Sequence, residues 1–168
     1  MSSLYPAFVH ESTVRICQSI IQGKVFGVIM PCHSQPKDAE DAIALAKWLG
    51  IDYRIVDLTA TYDVMCQAAG ERKLYGNTRS RLRMVELYAT AEDFNVRNRE
   101  TGACGQDWLV GGTTNQSEAM TGYFTKWGDG GVDIEPLLEY YKDEVYALAM
   151  AFHGFPQVIF DRVPTAGY

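Results

Sequence analysis

The chain has 168 residues, 47% of them hydrophobic and 21% charged, with a formal net charge of -6. That length fits one domain, residues 1–168, with a sizeable core. The acidic balance argues against a nonspecific nucleic-acid or membrane binder but leaves room for a local basic pocket, and no run of about eighteen apolar residues is present to form a transmembrane helix.

The first six residues, MSSLYP, lack the charged start and long apolar run of a secretory signal. The four cysteines, Cys17, Cys32, Cys66 and Cys104, show no CxxC spacing. They read as reduced thiols rather than a zinc site, and the expected location is the cytoplasm.

Residues 25–30 form a short apolar run ended by Pro31, as in a buried strand. A helix should follow, capped by Asp38, with Ala42, Leu45, Ala46 and Leu49 at helical spacing and Gly50 as its stop. Residues 53–58 read as a second strand, which completes a βαβ unit. Residues 79–94 look helical, with Leu82, Val85 and Ala89 on one face. The polar stretch 92–106, containing Asn95, Asn98 and Gly102, reads as a surface loop. Residues 108–112 look like a third strand and 117–124 like a short helix. Val145, Leu148, Ala149 and Phe152 mark another helix ended by Gly154, and 157–160 a last strand. This alternation predicts an α/β fold, a three-layer sandwich whose mainly parallel sheet has helices on both faces. Ligands of such sheets sit beyond the carboxyl ends of the strands, so the loops after Met30, Val110 and Phe160 matter most.

Three segments carry candidate chemistry. In GGTTNQSE (111–118), glycines and hydroxyls precede a helix start, a pattern that suits phosphates, and Glu118 offers a carboxylate to a hard cation such as Mg²⁺. The same residues also fit a plain helix start, with Ser117 or Asn115 as the cap and Glu118 favouring the helix dipole. KWGDGGVD (126–133) is either a tight functional loop or a solvated turn. In GNTRSRLRM (76–84), Arg79, Arg81 and Arg83 spread around a helix, so one or two of them face an anion or all lie in solvent. His10, His33 and His153 lie apart with no evident partner, and no Ser-His-Asp or Cys-His arrangement appears.

Taken in order, these pieces resemble the NAD synthetase family. The resemblance rests on GN-x₃-R-x-RM, LV-x-GT, N-x-SE-x₃-GYFTK-x-GDGG-x-D, K-x₂-V and PTA, with FGVIMPC and LGIDY upstream. It implies an N-type ATP pyrophosphatase with an adenine nucleotide α-hydrolase-like, Rossmann-like fold. It further implies a ligase that amidates deamido-NAD (nicotinate adenine dinucleotide) to NAD through an adenylated intermediate, with ATP as cosubstrate, Mg²⁺ as cofactor and ammonia as nitrogen donor. By that resemblance Thr113, Lys142 and Thr165 contact ATP, Arg83, Lys126 and Asp133 contact deamido-NAD, Glu118 is a Mg²⁺ ligand, and the protein is a homodimer.

The family's SGG-x-DS phosphate loop has no counterpart here. Residues 7–14, AFVHESTV, stand opposite it, with Glu11 where the family has a metal-binding aspartate, Ser12 at the final serine, and Phe8 and Val9 in place of glycines. The family also continues beyond PTA, whereas this sequence stops at Tyr168. The alternative expectation is therefore a truncated or degenerate nucleotide-binding member that makes NAD slowly or not at all.

Overall fold

The computed structural model describes residues 24–70, 76–102 and 107–151. Strand β1 (Phe26–Ile29) and strand β2 (Asp52–Ile55) pair in parallel, Phe26 opposite Asp52 and Ile29 opposite Ile55. Between them lies helix α1 (Pro36–Leu49). The pairing continues past the regular ladder, where the Val56 amide donates to the Ile29 carbonyl at 2.9 Å and the Leu58 amide to Pro31 at 2.8 Å. The expected α/β class with a parallel sheet is the one observed.

Proline's fixed φ suits the first turn of α1. Asp38 works from inside that turn, accepting from the Gln35 amide at 3.2 Å, rather than from the cap position itself. Leu45, Ala46 and Leu49 are buried, and Gly50 ends the helix at φ 65°.

Helix α2 (Thr59–Ala68) was not apparent in the sequence. Two threonines open it, a poor advertisement for a helix. Its start is fixed by the Asp57 carboxylate, which accepts from the Thr59 amide at 2.8 Å. Tyr62 buries itself against Cys32 and Leu58, with Met30, Val56, Cys66 and Leu82 around them. His33, at φ 50°, does have partners: its amide donates to the Thr59 hydroxyl, and its Nε2 lies 2.7 Å from Asp63. It ties the end of β1 to α2.

Helix α3 (Gly76–Glu100) is longer at both ends than expected. The stretch 92–100 is helical, which corrects the surface-loop reading. Asn95 takes part in packing, accepting from the Trp108 amide at 2.6 Å while its Nδ2 donates to the Trp108 carbonyl at 3.3 Å. Phe94 stacks between Phe26 and Trp108, at 4.9 and 4.8 Å. Leu82 packs inward as expected, but Val85 and Ala89 are exposed, and the buried positions of α3 are Gly76, Ser80 and Thr90.

Of the expected third strand, 108–112, the described residues show one parallel bridge, between Gly111 and Ile134. There the Val110 amide donates to the Asp133 carboxylate at 2.8 Å. Helix α4 (Gln116–Thr121) stops earlier than expected, at Gly122 with φ 68°. Helix α5 (Lys142–Met150) buries Val145 and Ala149 as predicted. The helix end at Phe152 and Gly154 and the strand 157–160 lie outside the described residues.

Leu45→Ala should destabilise the fold by about 2–5 kcal/mol, because it empties a site buried against the sheet. Lys47→Ala on the solvent side of the same helix should change stability by less than about 0.5 kcal/mol. Urea unfolding of both variants checks the pair.

Candidate functional site

The loop after Val110 lies closely against 132–135. The Gly112 amide donates to the Ile134 carbonyl at 2.7 Å, and a side chain at Gly112 would meet Val132 and Glu135 within 3 Å. Thr113 is half-buried, while Thr114 and Asn115 are buried. Asn115 caps α4: its Oδ1 accepts from the Glu118 amide at 3.0 Å, and Glu118 Oε2 accepts from the Asn115 amide at 3.1 Å. The capping reading of Glu118 therefore holds, with Asn115 rather than Ser117 as the cap. Ser117 instead accepts from the Lys142 amide at 3.2 Å, which joins the starts of α4 and α5.

Burial raises the Glu118 carboxyl above its ordinary value. Its bond to Asn115 and the Lys142 charge pull it down, and Asp129 pushes it up. Glu135 is also raised, by burial first; the bond to Thr114 pulls it down, and Asp129 pushes it up. Glu118, Lys142, Asp129 and Glu135 thus share one electrostatic neighbourhood.

Loop 125–131 folds onto the first turns of α3. Thr125 Oγ1 donates to Asn77 Oδ1 at 2.8 Å, and Arg81 Nε donates to the Lys126 carbonyl at 3.1 Å. Ser80 Oγ donates to Asp129 Oδ1 at 2.7 Å while accepting from the Asp129 amide at 2.9 Å. The Lys126 ammonium lies 5.4 Å from the centre of the Trp127 ring. Trp127 sits at φ 59°, a conformation that costs a bulky residue on the order of 1–3 kcal/mol unless its surroundings impose it.

Arg83 goes elsewhere. Its Nε donates to the Met30 carbonyl at 3.1 Å, at the carboxyl end of β1. Burial lowers its pKa, the Cys32 thiol opposes that, and the Arg79 charge adds to it. Asp133 spends both oxygens: one accepts from the Val110 amide, the other from the Tyr88 hydroxyl at 3.0 Å. With Tyr88, Glu92, Asn95, Arg99 and Trp108 it lines a cavity of about 400 Å³.

The structure therefore sets Glu118 beside Lys142 and Arg81 against Lys126, with Arg83 bonded separately at the end of β1. Thr165 and Glu11 lie outside the described residues. Ser80 and Glu135 went unnoticed in the sequence, and Asn77 was visible only as part of the GN-x₃-R-x-RM motif. Ser80 carried no signal, being one serine between two arginines, whereas Asp129 was visible in the GDGG motif and as part of an Asp-Gly turn.

Residues 10–168 match the NAD synthase family. The chain belongs to that family. It is 37% identical over 155 residues to the NH(3)-dependent NAD(+) synthetase of Finegoldia magna, covering 90% of this chain and 59% of the relative. The enzyme of the same name from Pyrococcus furiosus is 42% identical over 147 residues, covering 86% and 52%. Among solved structures, the NMN synthetase from Francisella tularensis superposes with a TM-score of 0.76 at 30% identity, over 94% of this chain and 63% of that one. The chain thus spans between about half and two thirds of the length of these relatives.

Membership of the NAD synthase family raises the question of a metal. No group of three acidic, histidine or cysteine side chains among the described residues is placed to hold an ion by itself. Magnesium commonly takes only one or two carboxylates and completes its shell with water and substrate phosphates. Glu118 fits that demand: one oxygen is tied to Asn115, which orients the group, and burial disfavours its charge, so a cation beside it would be stabilising.

A raised pKa means that the folded chain holds the Glu118 proton more tightly than the unfolded chain does. Its contribution to stability is complete below the ordinary value of 4.5 and is lost as pH rises through the raised folded value. Glu118→Gln keeps an acceptor for the Asn115 amide and removes the charge. The variant should match the parent near about pH 4 and become more stable than the parent by about pH 7.5. Denaturant unfolding at both values measures this; a difference independent of pH would contradict burial as the dominant effect.

Proposed function

We propose that this chain carries the activity of an ammonia-dependent NAD synthetase. The observation that carries the reading is Glu118: a half-buried carboxylate, oriented by Asn115 and set near the Lys142 charge, inside a family match covering 10–168. The relatives' shared name supports the ligase over a catalytically silent subunit.

A carboxylate resists direct attack by ammonia because hydroxide is a poor leaving group. In the proposed reaction the nicotinate carboxylate of deamido-NAD attacks the α-phosphorus of ATP, and the bond to pyrophosphate breaks. Ammonia then adds to the acyl carbon, AMP leaves with the bonding pair, and the surplus proton passes to solvent. Two anions must meet, so fixed positive charge has to offset their repulsion.

In this reading Thr113 and Lys142, with Thr165, hold ATP. Arg83, Lys126 and Asp133 contact deamido-NAD. Glu118 holds Mg²⁺, which when bound neutralises phosphate charge. Asp133 would have to share its carboxylate with Val110 and Tyr88 or exchange one of them for the ligand. Exposed Val85, Tyr88 and Val96, which fall on one face of α3, support a homodimer. Cys32 and Cys66, which form no disulfide among the described residues, support a cytoplasmic location; no helix among the described residues is long and apolar enough to cross a membrane.

The Francisella neighbour's name carries a second reading, amidation of a mononucleotide. Nicotinate mononucleotide presents the same carboxylate without the adenylate half, so the assay decides between them. With ATP, Mg²⁺ and ammonium, deamido-NAD should yield NAD and pyrophosphate in equal amounts, faster than nicotinate mononucleotide yields its amide. Glu118→Ala should slow turnover by about a hundredfold or more. Faster amidation of the mononucleotide would transfer the assignment to that substrate, and no pyrophosphate from either acid would end the proposal.

A further inference from the structure

The contacts of loop 125–131 divide it into anchored and displayed residues. Thr125 and Gly128 are buried, while Lys126 and Trp127 between them are exposed. Thr125 donates its amide to Asp129 Oδ1 at 2.9 Å, the Gly128 amide returns to the Thr125 carbonyl at 2.9 Å, and the Gly131 amide to Gly128 at 3.0 Å. Trp127 therefore holds its left-handed backbone inside a turn that is closed on itself.

That closed turn is fastened to the body of the protein by Ser80. Its hydroxyl gives its proton to Asp129 Oδ1 and accepts the Asp129 amide proton, so both polar functions are spent on one residue. Ser80 is itself buried. Position 128 has no room for a side chain, since one there would stand 2.3 Å from the Ser80 hydroxyl. Arg81, the next residue of α3, adds a bond to the Lys126 carbonyl. Strained backbone persists only where its surroundings impose it, and the Ser80–Asp129 clip is one of the ties that hold it here, beside Thr125–Asn77 and Arg81–Lys126.

We propose that Ser80 is a positioning residue for the dinucleotide substrate. By clipping Asp129 to α3 it sets where the Lys126 ammonium stands when deamido-NAD arrives. The proposal rests on the reading of Lys126 as a deamido-NAD contact, and its test separates the two.

Deamido-NAD binding is measured by calorimetry on the parent, Ser80→Ala, Ser80→Thr, Lys126→Ala and the double variant Ser80→Ala/Lys126→Ala, with thermal unfolding followed on each. Ser80→Ala should weaken binding by about tenfold, the equivalent of one or two net hydrogen bonds. Ser80→Thr keeps the hydroxyl and should recover affinity to within about threefold of the parent. In the Lys126→Ala background the Ser80→Ala change should cost less than about twofold, because the group it positions is gone. A general structural role would give the same loss in both backgrounds, and that result overturns the proposal. So does Ser80→Ala binding as tightly as the parent. A parent that binds deamido-NAD as weakly as Lys126→Ala overturns the reading of Lys126 and the clip with it. A clip without consequence for the ligand leaves Lys126→Ala weakened and Ser80→Ala unaffected.

Discussion

Helix α3 runs for 25 residues, about 37 Å, yet only Gly76, Ser80 and Thr90 along it are buried. Leu82 and Phe94 give this helix local apolar contacts, and directed bonds to its neighbours supply much of the rest of its hold. Arg54 of β2 reaches Glu86 at 2.6 Å and also Thr90. Arg83 reaches Met30 after β1, Arg79 lies over Tyr62 of α2, and Asn95 pairs with the backbone of Trp108. Ser80 and Tyr88 fasten the segment that carries Asp129 and Asp133. The βαβ unit and the loops that follow it are thus positioned through one helix.

Each turn of an α-helix advances the side chains by 3.6 residues, so neighbouring positions serve different partners. Ser80 and Arg81 face loop 125–131, while Arg83, less than one turn on, faces the end of β1. The alternate arginines, expected to spread around the helix, are divided between two of its sides. The helix brings the carboxyl end of the sheet and the glycine-rich loop to a common frame without putting their cations into one group.

That division matters in a chain of net charge -6 proposed to bind two anionic substrates. Positive charge is local: Lys142 near Glu118, Lys126 over Trp127, and a half-buried Arg83 at the end of β1. Glu118 bears the opposite sign in the same place, and burial disfavours its ionised form. Both signs within one partly desolvated region make its charge state depend on what is bound there.

The local elements were legible where a periodic apolar pattern met a clear stop. The parallel strands and α1 with Gly50 followed from that pattern, and the ordered motifs from Gly76 to Asp133 were enough to name the family. Helix α2 and the far end of α3 were hidden, because threonine-rich and asparagine-rich stretches fold as helices only when Tyr62, Phe94 and Asn95 find partners distant in sequence. The same holds within the site. Residue types marked Glu118 and the loop 126–133 as candidates, and the family resemblance added Lys142 and the roles of Lys126 and Asp133. They did not reveal that Asp133 would be occupied by Val110 and Tyr88, or that an unremarkable serine at 80 would grip Asp129. A hydroxyl acquires such a role only through the atoms set within about 3 Å of it, and those were brought there by the packing of chain segments nearly fifty residues apart.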